Sequence, residues 1–257
     1  MQKIYLDHNA TTPVLQEVLD VMLPFYRHGF GNPSSVHSEG RAARVRLDEA
    51  REQVAELIGA QSGEVVFTSG GSESNNFAIL GVALASNNKK RHIVTCEVEH
   101  AAILNPLKQL ECLGFQVECL PVDGVGRVDP ERVKSALTES TVLVTIQHAN
   151  SEVGTLQDIV EIGDCVRKKG ILFHTDAVQS VGKIPVDVND LPVDLLSISS
   201  HKIYGPKGVG ALFIRRGTPA LFSPVCGGGQ EKKRRGGTEN VPGIVGFGKA
   251  CQIARDR

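Results

Sequence analysis

The chain has 257 residues, of which 41% are hydrophobic and 22% charged, and its net charge is −1. This composition is typical of a folded globular protein and not of a disordered one. The near-zero charge argues against bulk electrostatic binding to nucleic acid or to a membrane surface. The sequence contains no apolar run as long as a membrane span and no signal-peptide pattern at its start, so we expect a cytoplasmic protein.

The cysteines give no sign of a metal site or of a disulfide framework. There are six of them, at positions 96, 112, 119, 165, 226 and 251. None forms a C-x-x-C pair, and the eight histidines are not spaced with them as zinc ligands are. We therefore expect no metal, and we expect most of these cysteines to be reduced core residues. Cys226, which precedes three glycines, is the one expected in an exposed loop.

From about residue 40 onward, short apolar runs alternate with amphipathic segments. This order predicts an α/β domain with a largely parallel sheet. The predicted strands are Glu64–Phe67, His92–Thr95, Gln116–Leu120, Val142–Ile146, Ile171–His174, Leu195–Ile198 and Gly210–Ile214. The predicted helices are Gly40–Ile58, Ser72–Leu84, Ala101–Leu113, Pro130–Leu137, Ile159–Lys169 and Val241–Ala254.

Polar residues follow five of the predicted strands, and in open α/β sheets ligands collect outside the carboxyl ends of strands. These loops are Thr68–Ser74, Glu97–His100, Gln147–Glu152, Asp176–Gln179 and Ser199–Lys202. The first is a glycine turn that enters a helix, which is a typical phosphate cradle. Locally, other interpretations stay open: Ser72 and Asp176 could be helix caps, and His100 could be a structural histidine.

Lys202 lies where a buried strand ends and a glycine turn begins. A partly desolvated amine beside a second cationic group, His201, is biased toward its neutral and nucleophilic form. Taken alone, it would be an ordinary strand-end lysine. Together with a phosphate cradle, an imidazole, a buried carboxylate and an amide, it completes the set of groups that hold pyridoxal phosphate.

Several ordered blocks of the sequence carry a family resemblance. They are Tyr5–Thr12, Gly31–His37, Thr68–Asn75, Val98–His100, His174–Gln179, Ser199–Lys202, Gly205–Leu212, Gly227–Glu231 and Arg235–Asn240. Through them the chain resembles the cysteine desulfurases, the NifS/IscS-like members of the class V aminotransferase family. The resemblance implies the large domain of a fold type I pyridoxal-phosphate enzyme, with a mostly parallel central sheet flanked by helices.

The resemblance also implies roles for individual residues. Lys202 would form the Schiff base and move the Cα proton, and His100 would stack on the ring and assist. Asp176 would pair with the ring nitrogen, and Gln179 with the phenolic oxygen. The remaining cofactor contacts implied are Gly71, Ser72, Asn150, Ser151, Ser199, Ser200, His201 and, from a second subunit of a homodimer, Thr238. Asn9, Ala10 and Asn32 lie where the family approaches its substrate.

Three positions depart from the family pattern. Ser151 stands where a second asparagine is usual, so its side chain is shorter. Ser72 replaces a common threonine and keeps the hydroxyl. Ser200 replaces a glycine beside His201 and adds a side chain in a tight place.

The implied activity converts L-cysteine to L-alanine and passes sulfur as a persulfide to an acceptor, such as an iron–sulfur scaffold protein or a thiocofactor or tRNA pathway. We expect three segments: an N-terminal segment at 1–15, the large domain at 16–240, and a linker helix from 241 to 257. Relatives continue into a small domain that carries the sulfur-accepting cysteine and a carboxylate-binding arginine. We therefore expect little turnover from these 257 residues alone, with Cys226 as the only substitute nucleophile.

Other functions remain open at this stage. Within the same enzyme class these are selenocysteine lyase, cysteine sulfinate desulfinase and an aminotransferase. A non-catalytic pyridoxal-phosphate-holding or sulfur-trafficking accessory protein is a further alternative. The run Lys232–Arg235 could bind RNA, although four basic residues on a glycine loop are more typical of a solvated face. A dinucleotide-binding protein is disfavoured, because Gly205–Gly210 precedes a strand and not a helix.

Overall fold

The computed structural model describes residues 4–86 and 90–257, and in it the chain forms a three-layer α/β/α domain. The central sheet has seven strands: β1 (Val65–Thr68), β2 (His92–Cys96), β3 (Gln116–Leu120), β4 (Thr141–Thr145), β5 (Leu172–Asp176), β6 (Leu195–Ser199) and β7 (Gly210–Ile214). The helices are α1 (Gln16–Arg27), α2 (Ser38–Leu57), α3 (Gly71–Ala85), α4 (Ala101–Cys112), α5 (Pro130–Ala136), α6 (Ile159–Lys168) and α7 (Val241–Arg255). No helix in the described ranges is long and apolar enough to cross a membrane.

The strand order is β1-β7-β6-β5-β4-β2-β3, and only β7 pairs antiparallel to its neighbours. Since β1 and β6 both pair antiparallel with β7, β1 runs in the same direction as the parallel strands. The carboxyl ends of six strands therefore meet at one edge of the sheet. This confirms the predicted α/β fold with its mostly parallel sheet.

Alternate residues of the central strands face two separate cores. Val65 and Phe67 of β1 pack with α2 and α7 on one face, whereas Val66 packs with α3 and α4 on the other. A strand buried on both faces needs apolar residues at successive positions, as β1 and β6 have. Helix α7 packs against α1 and α2, with Ile244 and Phe247 in the core. The division into three segments stays a prediction, and residues 1–3 of the first segment lie outside the described part.

Helix α1 was not predicted from the sequence. Val18 and Met22, four residues apart, are its buried side, while Leu19 and Leu23 are exposed. Apolar residues on both faces and Pro24 inside the helix hide the helical periodicity. The other predicted elements exist, with ends that differ by at most two residues.

The expectation that most cysteines are buried was wrong. Only Cys96 and Cys251 are buried, and Cys165 is half-buried. Cys226 is exposed as expected, but Cys112 and Cys119 are exposed too. Cys112 ends α4, and Cys119 lies on β3, one of the two edge strands of the sheet, whose residues are mostly exposed. The sequence does not distinguish an edge strand from a central one, which is why Cys119 was misplaced.

Candidate active site

A cavity of about 260 Å³ opens at the carboxyl edge of the sheet, where the loops after β1, β2, β4, β5 and β6 converge. Its walls are Ala10, Gly71, Ser72, Asn75, His100, Ala102, Gln147, Ala149, Ser151, Asp176, Val178, Gln179, Ser199, His201 and Lys202. All five loops that the sequence singled out contribute side chains, so residues up to 192 positions apart share one small space.

Lys202 enters the cavity from the short 3-10 turn that follows β6. Its ammonium nitrogen donates hydrogen bonds to the backbone carbonyls of Asn9 and Ala10, the latter at 2.9 Å. Partial burial lowers the pKa of Lys202, although the negative charges of Asp176 and Asp7 oppose this shift. The amine thus has the lowered proton affinity that nucleophilic lysines need.

Asp176 ends β5 at the cavity wall. Its Oδ2 accepts a hydrogen bond from Nδ2 of Asn75 at 2.7 Å, and its Oδ1 accepts the backbone N–H of Val178 at 2.9 Å. Burial raises the pKa of Asp176, and these hydrogen bonds and the nearby charges of His100 and Lys202 oppose the rise. No helix starts at Asp176, so it is not a helix cap. It is a carboxylate held by neutral donors and lacking a directly bound cation.

The glycine turn after β1 leads into α3, and the start of that helix faces the cavity. Gly70 is the N-cap residue, with φ of 151°, and no side chain caps the helix. A Cβ at Gly71 would lie 2.8 Å from Cγ2 of Val178, so glycine is required there. Ser72 lies in the first turn and is not the cap that the local alternative suggested. Together with Ser199 and His201, this free helix end forms a cradle for an anion.

His100 serves the fold and the cavity together. It is the N-cap residue of α4, and its Nδ1 accepts the backbone N–H of Ala102 at 3.0 Å. In the neutral ring the proton therefore resides on Nε2. The exposed ring lines the cavity, so the structural interpretation and the functional one are both compatible with its position.

Gln179 lies in the turn after β5, between Lys183 and the carbonyl of Asn9 to which Lys202 donates. Its Oε1 accepts a hydrogen bond from the ammonium of Lys183 at 2.5 Å, and its Nε2 donates to the carbonyl of Asn9 at 3.0 Å. Asn9 also accepts from Lys202. The side-chain amide is therefore oriented with its donor toward the N-terminal segment and the cavity.

Five of the residues expected at the site do not line this cavity. Asn150 uses its side chain to organise its own loop, accepting from the N–H groups of Glu152 and Val153. Ser200 is fully buried behind the cavity, and its Oγ lies 2.1 Å from where a Cβ of Gly205 would be. The other three are Asn9, Asn32 and Thr238. The carbonyl of Asn9 accepts from Gln179 and Lys202, and its side-chain amide donates to the carbonyl of Ser151 at 2.9 Å. Asn32 and Thr238 lie elsewhere on the surface.

Sequence reasoning missed several residues that shape the site. Asn75 donates to Asp176, and Lys183 donates to Gln179. Glu73 forms an ion pair at 2.8 Å with Arg235, the last residue of the run Lys232–Arg235. Helical spacing placed Asn75 one turn after Gly71, which could have indicated that it faces the same way. No sequence signal links Glu73 to Arg235, which is 162 residues away.

The basic run Lys232–Arg235 is not a free cationic strip. Arg235 binds Glu73, and Arg234 donates to backbone carbonyls of Gly63 and Val65. Only Lys232 and Lys233 extend into solvent. The glycine run Gly205–Gly210 leads into β7 and not into a helix, as expected.

Comparison with known proteins places this geometry in a family. The model of the class-V aminotransferase family matches residues 4–256. A protein of Dictyoglomus turgidum named cysteine desulfurase IscS is 54% identical over 98% of this chain, which spans 64% of that relative. A putative cysteine desulfurase IscS 1 of Bacillus subtilis is 49% identical, over 100% of this chain and 67% of the relative.

Solved structures agree with these sequence comparisons. A structure titled NifS-like protein superimposes with a TM-score of 0.96 at 44% identity, over 99% of this chain and 70% of its own. One titled SspA in complex with cysteine gives a TM-score of 0.95 at 43% identity, over 97% of this chain and 72% of its own. These matches confirm the resemblance that the sequence motifs predicted. The chain spans less than two thirds of the length of several relatives that it matches.

Proposed function

The chain belongs to the class-V aminotransferase family, and we propose that it is a pyridoxal-phosphate-dependent cysteine desulfurase of the NifS/IscS type. The observation that carries this proposal is the arrangement of Lys202, Asp176 and the open start of α3 around one cavity. The names of relatives that are about half identical supply the reaction.

The cavity fits pyridoxal phosphate at three points. The uncapped start of α3, with Ser72, Ser199 and His201, suits the phosphate. Asp176 has no cation bound to it, which a pyridinium nitrogen would provide. Lys202 presents an amine of lowered pKa to the aldehyde carbon. The cavity of about 260 Å³ is large enough for a compact planar ring between these groups.

The residues of the chain then have separate tasks. The cofactor, when bound, supplies an electron sink that makes the bonds at the substrate Cα labile. Lys202 is the group placed to take the Cα proton and to return it. Asp176 would stabilise positive charge on the ring nitrogen, and the donor groups at the start of α3 would hold the phosphate. Nε2 of His100 carries a proton that the ring can supply at the cavity wall.

In the proposed reaction the carbon–sulfur bond of L-cysteine breaks, and its sulfur atom forms a bond to the thiolate of an acceptor. The acceptor becomes a persulfide, and the former Cβ gains a proton to give L-alanine. No external oxidant is consumed. L-cysteine is thus the substrate and a protein thiol the acceptor, for example one that delivers sulfur to an iron–sulfur scaffold.

A homodimer is part of the proposal. Thr238 is exposed and lies in a groove apart from the cavity of its own chain, on the loop that Arg235 ties to Glu73. Such a position is compatible with a contact to the cofactor of a second subunit.

The test is to load the protein with pyridoxal phosphate and to use NMR to monitor the exchange of the Cα proton of L-cysteine in D₂O. Exchange that depends on Lys202, together with L-alanine formation when a thiol is added, supports the proposal. L-serine serves as the control substrate. Equal exchange of unrelated amino acids with release of keto acids would instead identify an aminotransferase. Activity with L-selenocysteine but not with L-cysteine would identify a selenocysteine lyase.

A further inference from the structure

Glu99 is a buried acid that connects two walls of the cavity. It is 7% exposed and directly precedes His100 on the loop after β2. Its Oε1 accepts the backbone N–H of Gln147 at 2.6 Å. Gln147 begins the loop after β4 that leads to Ser151, and it lines the cavity itself. This carboxyl group thus joins the loop that carries His100 to the loop that carries Ser151. Nε2 of Gln147 and Nδ2 of Asn150 join the same two loops by donating to the backbone carbonyl of Val98, at 2.6 and 3.2 Å.

Among residues 4–86 and 90–257, no cationic side chain acts on Glu99 to balance a negative charge. The thiol of Cys96 donates to Oε1 at 3.3 Å, and Oε2 is fully buried with no hydrogen-bond partner. The charged group that acts on it most strongly is another acid, Asp176. An ionised carboxylate in such a place loses its hydration without gaining a counter-charge, so burial favours the neutral acid.

The titratable groups around Glu99 come from three strands and one loop. They include Cys96 on β2, Cys119 on β3, Asp176 on β5, and Glu97 and His100 on the same loop as Glu99. Burial raises the pKa of Glu99 to about 8, and the negative charge of Asp176 adds to this rise, while the hydrogen bond from Gln147 opposes it. The thiol of Cys96 stays protonated because burial raises its pKa as well.

We propose that Glu99 is an uncharged positioning residue that, as a carboxylic acid, holds the His100 loop to the Gln147 loop alongside the bonds to Val98, so that Asp176 is the charged member of this pair of acids. The functional part of this proposal rests on the proposed pyridoxal-phosphate site. Glu99 does not line the cavity and acts through the two loops.

The proposal predicts how stability depends on pH. The pKa of Glu99 is about 8 in the folded chain and about 4.3 in an unfolded one. Between these values the folded protein binds the extra proton, so the contribution of Glu99 to the free energy of unfolding falls as pH rises through that range. Glutamine has the same shape, keeps an oxygen that accepts from Gln147 and does not titrate.

The first measurement is the melting temperature from pH 5.5 to pH 9 for the parent and for Glu99→Gln, with Glu97→Gln as the exposed control on the same loop. We expect the parent and Glu97→Gln to lose stability together as the pH rises, and Glu99→Gln to lose clearly less. The infrared difference spectrum of the parent minus Glu99→Gln at pH 6.5 should contain the C=O stretching band of a protonated carboxylic acid. Parallel melting curves, or the absence of that band, would overturn the proposal.

The second measurement is the dissociation constant of pyridoxal phosphate. We expect Glu99→Gln to bind within about twofold of the parent, whereas Glu99→Ala, which loses the link to Gln147, should bind at least about tenfold more weakly, a difference of about 1.4 kcal/mol. Equal weakening by Gln and Ala would show that the negative charge is needed, and the proposal would be wrong. If the parent itself takes up no cofactor, the proposed function fails, while the melting and infrared results still decide the protonation state of Glu99.

Discussion

Asn75 donates a hydrogen bond of 2.7 Å to Asp176 from the first turns of α3, across 101 positions of sequence. The helix whose start forms the phosphate cradle thus also fixes the carboxylate expected to face the ring nitrogen. Oδ1 of Asn75 is buried and has no partner. In the proposed complex, one helix would therefore contact the phosphate and also position the acid that pairs with the ring.

Replacing Asp176 with asparagine should separate cofactor binding from chemistry. The phosphate cradle remains, so pyridoxal phosphate should still bind. A neutral amide does not stabilise a positive ring nitrogen, so Cα-proton exchange of L-cysteine should fall by roughly 100-fold or more. Absorbance titration and NMR exchange measure the two properties independently. An Asp176→Asn variant with parental exchange would show that Asp176 only supports the turn at Val178.

Lys183 should lower the pKa of Lys202 by charge repulsion. Burial lowers the pKa of Lys183, and the positive charge of Lys202 lowers it further. The repulsion between the two amines is reciprocal. In Lys183→Met this repulsion is lost, and Gln179 loses the donor that orients its amide. The pH midpoint of the visible band of the Lys202-linked cofactor should then rise by roughly half a unit to one unit.

Two further variants make the Lys183 test specific. Lys183→Arg keeps the charge and a donor, so its midpoint should stay near that of the parent. Lys169→Met removes an exposed lysine at the end of α6 and is the control for charge alone. A midpoint that stays fixed or falls in Lys183→Met would contradict the proposed repulsion between Lys183 and Lys202.

The loop that contains the basic run Lys232–Arg235 should depend on a buried ion pair for its position. Glu231 is 4% exposed, and its two oxygens accept from the guanidinium of Arg51 at 2.7 Å each. Its Oε2 also accepts the backbone N–H of Phe67. Arg51→Ala leaves the carboxylate buried without its directly bound cation, which should lower the free energy of unfolding by roughly 3–5 kcal/mol.

The same helix offers a matched control for that substitution. Arg46, also on α2, pairs with Glu49 at 2.9 Å, but both side chains are about half exposed. Arg46→Ala should change the free energy of unfolding by less than about 1 kcal/mol, because solvent screens the pair. Chemical denaturation of both variants measures the difference. Equal losses would mean that burial of the Arg51–Glu231 pair does not matter.

The sequence predicted the layout of the site because strand ends are local features. Lys202, Asp176 and the glycine turn before α3 each follow an apolar run, and the parallel sheet brings such ends together. The fold class followed from the same alternation. Family motifs then added roles for residues whose local patterns were ambiguous, among them His100.

The residues that support the site could not be predicted in this way. Arg51 and Glu231 are separated by 180 positions, and nothing in either local sequence marks a partner. Glu99 was read only as part of a polar loop, because its burial depends on how two loops pack. Helix α1 was missed because Pro24 and exposed apolar side chains obscure its pattern. These features depend on tertiary packing, which periodicity does not encode.

The most direct test of the account is to locate the lysine that binds the cofactor. Protein incubated with pyridoxal phosphate should turn yellow, and borohydride reduction followed by proteolysis and mass spectrometry should find the reduced cofactor on the peptide that contains Lys202. Lys202→Ala should remove this label. Label on Lys183 in the parent protein, or no label on protein that has been shown to be folded, would contradict the assignment of this cavity as a pyridoxal-phosphate site.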